Sequence, residues 1–376
     1  MEKPRVTAVI LAAGYSARMQ QFKPLLDLGG QPVIDRVITS FMDAGIKDIR
    51  VVAGYNKEKL IQALTEVDVK VIINERFADG MFTSVQAGVR SLDANTEAFF
   101  LMPADVPLVR PATIRYLAES RNLQPDKILI PVFDSRRGHP PLIASSFAGA
   151  IIDYSGENGL GGIFNLYSSD IVTLPVTDSN ILLDMDTPEE YALLCEKSRR
   201  MDIPTAAECE VIMKDVQRAP DAVITHCKAV ALVAGSIVDE VNRCGGNIDR
   251  EIVTAAALLH DLARGKPDHA AKSADIIRGR GFSAVAELVE THMDIVPGRG
   301  DEVSSSEILY LADKLVSGDR VVNLQDRFGK ARDKFGDNPD AAGKIRSRYE
   351  NAINILERIE ARTGRLDIRS LMTVGA

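Results

Sequence analysis

"VTAVILAAGYSARMQQFKPLL", residues 6–26, joins a run of β-branched and apolar residues to a glycine turn that is followed by two cations. A short apolar run that stops at glycine is typical of a buried strand followed by a loop. Gly14 has no Cβ, so backbone amides can approach an anion closely there. Arg18 and Lys23 add positive charge. Together these features favour a phosphate-binding loop, and an ordinary strand-to-helix turn with two solvated cations is the alternative.

The first half of the chain repeats this alternation of strand and helix up to about residue 190. Amphipathic helices such as "PVIDRVITSFMDAG" separate several of the apolar runs. The alternation predicts a three-layer α/β domain with a doubly wound, mostly parallel, Rossmann-like sheet. Ligands of such sheets bind beyond the carboxyl ends of the strands, which is where Gly14 and Asp105 fall. The predicted strands are "TAVILAA", "IRVVAG", "KVIIN", "AFFLMPA", "KILIPVF" and "DIVTLPV".

After about residue 190 the short apolar runs disappear, and the segments have helical periodicity. Turn signals such as "CGGN" and "VPGRG" separate several of them. We therefore expect an α/β domain over residues 1–200 and an all-α domain over residues 207–376 that ends in a long helix. The predicted helices cover roughly residues 206–218, 221–243, 249–263, 268–279, 283–293, 304–317 and 341–363.

Composition and charge limit the class of protein. The 376 residues are too many for one ordinary core, and 45% hydrophobic with 26% charged residues is typical of a globular chain. The formal net charge of −8 argues against a nucleic-acid partner. No apolar run reaches the ~18 residues of a membrane helix or resembles a signal peptide, so we expect no membrane partner. Four cysteines without CxxC spacing indicate reduced thiols in a cytoplasmic protein.

Five motifs fall in order along the first half of the chain. "LAAGYSARMQQFKPLL" resembles the LAAG-x-S-x-RMG-x-x-K signature of the MobA-like nucleotidyltransferases, and more closely that of their molybdenum-cofactor cytidylyltransferase branch. "NERFADGMFTSVQAGV", "LMPADVPLV", "RRGHPPLI" and "DMDTPEEY" are similar to the later motifs of that family. The resemblance covers nearly all of residues 6–195.

The resemblance implies that a substrate phosphate attacks the α-phosphorus of a nucleoside triphosphate and that pyrophosphate leaves. Mg²⁺, a hard cation that prefers oxygen ligands, is the implied cofactor, held by Asp105 and Asp186. Lys23, Arg18 and Asp105 are the implied catalytic residues. Ala13 matches the LAAG form of cytidylyl members rather than the LAGG form of guanylyl members, which favours CTP. The implied nucleotide-binding residues are Leu11, Ala12, Ala13, Gly14, Gly80, Met81 and Ser84.

Some of these residues also fit a purely structural interpretation. Asp105 suits a turn that caps the following helix, and Asp186 suits the N-terminal signal of the helix that begins in "TPEE". His139 in "RGHPP" fits a turn at least as well as substrate contact. Gln20 and Gly162 depart from the family pattern, which has glycine and arginine near those places. The acceptor phosphate or the leaving group could therefore be held differently.

Four of the five histidines lie in the helical half, in "VITHCKAVALVA", "LLHDLARGKPDH" and "ELVETHMD", and "LYLADKLVSG" adds an aspartate. This H…HD…H…H…D order resembles the HD-domain metal-dependent phosphohydrolases over about residues 206–320. Imidazoles and carboxylates bind transition metals, and the metal activates water for attack on phosphorus. The resemblance implies one or two ions, for which Fe, Mn, Zn and Co are all suitable. The implied ligands are His226, His260, Asp261 (also catalytic) and Asp313 for the first ion, with His269 and His292 for the second.

These features lead to the hypothesis of a bifunctional enzyme. The first half would transfer CMP from CTP to a phosphorylated acceptor, the molybdopterin cofactor, with a molybdoenzyme as a possible further partner. The second half would hydrolyse a phosphate ester or anhydride, and Arg264, Lys266 and Lys272 either bind its phosphate or are solvated helix charges. A sugar or alditol phosphate is the alternative acceptor. An alternative of another class is a binding protein, with a cofactor-carrier domain and a nucleotide-sensing domain.

Overall fold

The computed structural model describes residues 5–15, 19, 21–300, 302–335 and 337–364. The chain divides into two compact units, Met1–Met201 and Asp202–Ala376. Each unit has its own hydrophobic core.

The first unit is built on an eight-stranded mixed sheet with the order β3-β2-β1-β4-β7-β5-β6, in which β8 also pairs with β5. The pairs β1–β2, β1–β4, β2–β3 and β5–β8 are parallel, and the pairs that involve β6 or β7 are antiparallel. The mostly parallel sheet and all six predicted strands are confirmed. The strands are β1 Val6–Ala12, β2 Asp48–Ala53, β3 Lys70–Ile73, β4 Ala98–Pro103, β5 Ile128–Phe133, β6 Arg136–Arg137, β7 Leu142–Ala144 and β8 Ile171–Pro175.

Helices cover both faces of this sheet, because adjacent side chains of a strand point to opposite sides. On β4, Phe99 packs in the cluster that includes Val85 of α3 and Ile151 of α5, whereas the ring of Phe100 lies 5.4 Å from that of Phe41 in α1. The helices of this unit are α1 Val33–Asp43, α2 Lys57–Ala63, α3 Met81–Arg90, α4 Pro111–Ser120, α5 Ala148–Asp153, α6 Gly159–Leu166 and α7 Pro188–Ser198.

Close packing of α3 on the sheet depends on a glycine. A Cβ at Gly88 would lie 2.3 Å from Cγ1 of Val9 on β1 and 3.1 Å from Cγ2 of Val52 on β2. At the other end, Gly80 precedes α3 with φ of 114°, a backbone conformation that favours glycine. Gly88 therefore sets how closely α3 packs on β1 and β2, and Gly80 allows the backbone conformation from which the helix starts.

The second unit is almost entirely helical around a single core, which confirms the predicted all-α class. Two capping boxes begin α8 and α13, in which Thr205 pairs with Glu208 and Ser304 pairs with Glu307. A π-helical turn, Ile212–Val216, continues α8, and a short hairpin, β9 Val316–Ser317 with β10 Arg320–Val321, follows α13. The helices are α8 Ala206–Val211, α9 Asp221–Arg243, α10 Arg250–Leu259, α11 His269–Arg278, α12 Ser283–Glu290, α13 Ser305–Leu315, α14 Leu324–Phe335 and α15 Pro339–Thr363.

One helix of the described chain, α9, is long and apolar enough to cross a membrane by length and composition. Its mean hydropathy is 1.5, but 61% of the apolar stretch is buried inside the protein. It contacts α10, α13 and α15 in the core of the second unit. We therefore interpret α9 as the central helix of a helical domain.

Gly88→Ala should destabilise the first unit by about 1–3 kcal/mol, because the new methyl group overpacks the interface with Val9 and Val52. Gly149→Ala is the matched control, since a Cβ at this position in α5 meets nothing within 4 Å. We expect that substitution to be neutral or stabilising by about 0.5–1 kcal/mol. Urea unfolding followed by circular dichroism measures both, and equal midpoints would contradict the packing role of Gly88.

Candidate functional sites

The first site is a cavity of about 310 Å³ at the carboxyl ends of β1 and β4. All seven residues expected to bind a nucleotide line it, together with Lys23 and Asp105. Tyr15, Phe77 and Pro24 also line it, and no motif had singled them out. Two residues of the loop discussed above, Arg18 and Gln20, lie outside the described residues.

Lys23 connects the two carboxylates of this site. Its Nζ lies 2.6 Å from Oδ1 of Asp186 and 3.5 Å from Oδ2 of Asp105, and its side chain is 12% exposed. Burial raises the pKa of Asp105, and the Asp186 carboxylate raises it further, whereas the Lys23 ammonium lowers it. Three residues from distant parts of the sequence therefore converge on one point at the cavity.

Asp186 contacts Lys23 in the first site and also lies next to the capping box of the following helix. Its backbone N–H donates to Oε2 of Glu190 at 2.9 Å, and Oγ1 of Thr187 accepts from the Glu190 backbone N–H at 3.3 Å. This capping box begins α7 immediately after Asp186. The carboxylate is thus presented by a firmly capped helix start, and the structural and functional interpretations are compatible.

Two further positions that the sequence singled out are Gly162, which departs from the family pattern, and His139. A Cβ at Gly162 would lie 2.1 Å from the Tyr154 hydroxyl oxygen, so a residue with any side chain fits there only if its surroundings rearrange. His139 donates its backbone N–H to the Ile181 carbonyl oxygen at 2.9 Å. Burial lowers the pKa of its imidazole, and the carboxylates of Asp105 and Asp184 act in the opposite direction. His139 therefore lies within the electrostatic reach of the first site.

The second site brings together the four histidines and two aspartates of the helical unit. His226 comes from α9, His260 and Asp261 follow α10, His269 begins α11, His292 follows α12 and Asp313 lies on α13. All are buried except His269, whose side chain is 23% exposed. Six residues from five helical segments therefore converge.

Asp261 faces a different pair of histidines with each of its oxygens. Its Oδ2 lies 3.8 Å from Nε2 of His226 and 3.5 Å from Nε2 of His260. Its Oδ1 lies 3.3 Å from Nε2 of His269 and 3.7 Å from Nε2 of His292. Asp313 adds Oδ1 at 3.2 Å from Nε2 of His226. The described residues thus form two adjoining clusters that share Asp261.

Backbone carbonyls orient three of these rings. Nδ1 lies 2.9 Å from the Gly318 oxygen in His226, 2.8 Å from the Ala257 oxygen in His260, and 2.7 Å from the Val289 oxygen in His292. A carbonyl only accepts, so we assign the proton to Nδ1, and the lone pair of Nε2 then points at the carboxylates. Nε2 of His260 and Nε2 of His292 are buried without a hydrogen-bond partner. Buried, unpaired imidazole nitrogens beside carboxylates fit a transition-metal site.

Electrostatics favour the ligating protonation states. Burial lowers the pKa of His260 to about 4, so its imidazole is neutral near pH 7. Burial would raise the pKa of Asp261, but the adjacent imidazoles of His269, His292 and His260 bring it well below the usual range. The pKa of Asp313 is likewise well below its usual range, because the Lys314 ammonium and His226 outweigh the effect of burial. Lys314 binds Oδ2 of Asp313 at 2.6 Å.

Apart from Asp186, the residues of the two sites lie in segments of the chain that match two different family models. Residues 8–171 match the family model of the MobA-like NTP transferase domain, and residues 223–318 match that of the HD domain. The chain therefore joins a MobA-like nucleotidyltransferase domain to an HD domain, as the motifs predicted.

Individual relatives cover different parts of the chain. The molybdenum cofactor cytidylyltransferase of Escherichia coli K12 is 26% identical over 193 residues, which are 51% of this chain and 96% of that protein. The tRNA (cytidine(56)-2'-O)-methyltransferase of Picrophilus torridus is 31% identical over 177 residues, and the match spans only 48% of its length. Among solved structures, Rv0371c of Mycobacterium tuberculosis is 24% identical with a TM-score of 0.46, covering 52% of this chain and all of that one.

The pKa of His260 predicts how the metal-free protein responds to acid. The unfolded chain takes up a proton at this imidazole near pH 6.5, whereas the folded protein does so only near pH 4. The free energy of unfolding should therefore fall by on the order of 3 kcal/mol as the pH drops through this window. Chelator-treated protein unfolded in urea at several pH values measures this. His260→Gln should remove much of the slope, and an unchanged slope would contradict the assignment.

Proposed function

We propose that the first domain transfers a nucleotidyl group, CMP from CTP, to a phosphate of the molybdopterin cofactor. The observation that carries this proposal is the placement of Lys23 between Asp105 and Asp186 beside the cavity. An oxygen of the acceptor phosphate forms a bond to the α-phosphorus. The bond from that phosphorus to the bridging oxygen breaks, and pyrophosphate leaves with the electron pair.

Catalysis of this step consists mainly of positioning and electrostatic stabilisation, since charge builds on groups that are already anionic. The loop residues from Leu11 to Gly14 and the start of α3 hold the nucleotide, while Lys23 stabilises the charge on the transferring phosphate. Asp105 and Asp186 would hold Mg²⁺, whose preference for oxygen ligands they match. When bound, that ion neutralises phosphate charge. The family resemblance, rather than a described contact, makes Arg18 our candidate for a further phosphate contact.

The choice of CTP and molybdopterin is supported by two observations. Ala13 gives the loop its cytidylyl-type LAAG form, and the chain covers nearly all of the E. coli cytidylyltransferase that it resembles. Gly162, packed against Tyr154, favours a different hold on the acceptor from that in members with arginine near this place. A screen of each NTP with molybdopterin or a sugar phosphate, monitored by pyrophosphate release, separates the two acceptor classes. Turnover with neither acceptor would favour a carrier or sensor.

We propose that the second domain is a metal-dependent phosphohydrolase with two ions. His226, His260 and Asp313 would hold one ion, His269 and His292 would hold the other, and Asp261 would serve both. Mn, Fe, Zn and Co all suit these nitrogen and oxygen donors. When bound, such ions lower the pKa of water and so supply hydroxide near neutral pH.

All four cysteines are free thiols in the structure, which supports a cytoplasmic location for both activities.

Neutralising Lys23 should slow pyrophosphate release about 10²- to 10³-fold, because the transferring phosphate loses a positioned cation. We choose Lys23→Met, which keeps the length of the side chain. Asp105→Asn should have an effect of similar size through the loss of an oxygen ligand. Asp134→Asn is the control, since it makes the same chemical change at an exposed turn residue that has φ of 47°, which asparagine tolerates. Full activity of Lys23→Met would contradict the proposed site.

The shared aspartate predicts distinct metal stoichiometries for two variants. Chelated protein reloaded with Zn²⁺, which prefers imidazole nitrogen to the carboxylate oxygens of the first site, should bind about two ions, and His269→Ala should bind about one because it lacks a ligand of only one cluster. Asp261→Ala should lose both. Mass spectrometry for metals on desalted protein gives the counts. A wild-type count of one, or full loading of His269→Ala, would contradict two sites.

A further inference from the structure

Two arginines reach carboxylate oxygens of the second site from different parts of the chain. Arg264 places Nη1 2.8 Å from Oδ2 of Asp261. Arg327 places Nη2 3.6 Å from Oδ1 of Asp313. These are the oxygens that also face His226 and His260, so any phosphoryl group bound at that cluster lies within reach of both guanidinium groups.

Arg327 belongs to α14, a helix beyond residue 318, where the match to the HD family ends. Its Nη1 donates a hydrogen bond to the carbonyl oxygen of Val316, which fixes the guanidinium, and its side chain is 26% exposed. The neighbouring Phe328 is buried in the core against the ring of Tyr349. At the start of the helix, Asn323 Oδ1 accepts the Asp326 backbone N–H at 2.7 Å. Helix α14 is therefore anchored on both sides of Arg327.

Arg264 reaches the site from an earlier part of the chain, on the turn after α10. Its backbone N–H donates to the carbonyl oxygen of Asp261 at 2.9 Å, which makes the turn compact. The side chain of Arg264 is half exposed, whereas that of Asp261 is buried. Arg264 thus spans from the buried carboxylate to solvent and can contact a ligand that enters from outside.

The charge of the site favours a multiply anionic ligand. Two carboxylates, Asp261 and Asp313, face three cations, namely Arg264, Arg327 and the buried Lys314. The protein groups alone are therefore net positive, and each divalent ion adds two more charges. A terminal phosphate carries more negative charge than a phosphodiester, and the planar fork of arginine matches its oxygens.

We propose that Arg264 and Arg327 form a clamp that binds the terminal phosphate group of a phosphomonoester at the HD site. The clamp makes monoesters, rather than diesters, the substrate class of this site. The inference rests on the proposed phosphohydrolase function for its biological meaning, but the clamp itself binds phosphate whether or not turnover occurs.

The test measures binding of inorganic phosphate to the full-length, Mn²⁺-loaded protein by calorimetry. Arg327→Gln and Arg264→Gln should each weaken phosphate binding about tenfold or more, with the Mn²⁺ content of the wild type. Arg332→Gln is the matched control, because it makes the same change at an exposed residue of α14. We expect its dissociation constant to stay within twofold of the wild-type value.

Three results of this binding experiment would overturn the proposal. These are absence of phosphate binding by the wild type, wild-type affinity in both glutamine variants, and loss of Mn²⁺ from them, which would make the arginines structural partners of the carboxylates. If Arg327→Gln does not fold, Arg327→Lys replaces it and should show an intermediate affinity, since the charge remains without the fork.

Turnover of model substrates provides a second, independent test of the clamp. With p-nitrophenyl phosphate and bis(p-nitrophenyl) phosphate, we expect a wild-type preference for the monoester in kcat/KM that falls at least tenfold in Arg327→Gln. A wild-type preference for the diester would overturn the clamp. Phosphate binding that depends on both arginines without any hydrolysis would support the clamp and refute the phosphohydrolase function, so the two failures are distinguishable.

Discussion

A charge removed from water must meet an opposite charge or a ligand, and this constraint organises both sites of the chain. In the first domain, Lys23 is largely buried and sits between Asp105 and Asp186. In the second, Asp261 and Asp313 are buried, and each is compensated by histidines and by cations. Elements far apart in the sequence are held to common points by these compensated charges.

The two domains meet the constraint with different donors, and this separates their chemistry. The first site offers carboxylate oxygens beside a lysine, a set suited to phosphate groups and Mg²⁺. The second offers four imidazole nitrogens around a shared carboxylate, which suits softer divalent metals. We therefore expect the two domains to bind different divalent metals, although they belong to one polypeptide.

Much of the fold was predictable because its signals are local. The six long strands and seven helices show clear apolar periodicity, and the histidines and aspartates stand in an ordered pattern. Strands β6 and β7 were missed because two or three residues cannot show alternation. Helix α14 was missed because it is strongly polar, with only Leu324 and Phe328 buried.

The missed helix carried a functional consequence, since Arg327 reaches Asp313 only through tertiary packing. Lys314 was likewise visible as a residue but not as a partner of Asp313, because adjacency along the sequence does not reveal burial. The packing of Gly162 against Tyr154 also required the structure. The residue types in a motif identify a candidate ligand. The residues that position this ligand are identified only by tertiary contacts, which no motif contains.

The carbonyl oxygens that orient His226, His260 and His292 have a consequence for how this site tolerates mutation. Each partner is a backbone atom, at Gly318, Ala257 and Val289, so no side-chain substitution deletes it. In sites where a carboxylate orients the histidine, a single codon change can abolish that support. Here the support comes from the main chain near the ends of α10 and α12 and in the turn between β9 and β10. The ring orientation should thus persist through sequence drift for as long as these backbone segments keep their conformation, which leaves the surrounding surface free to diverge.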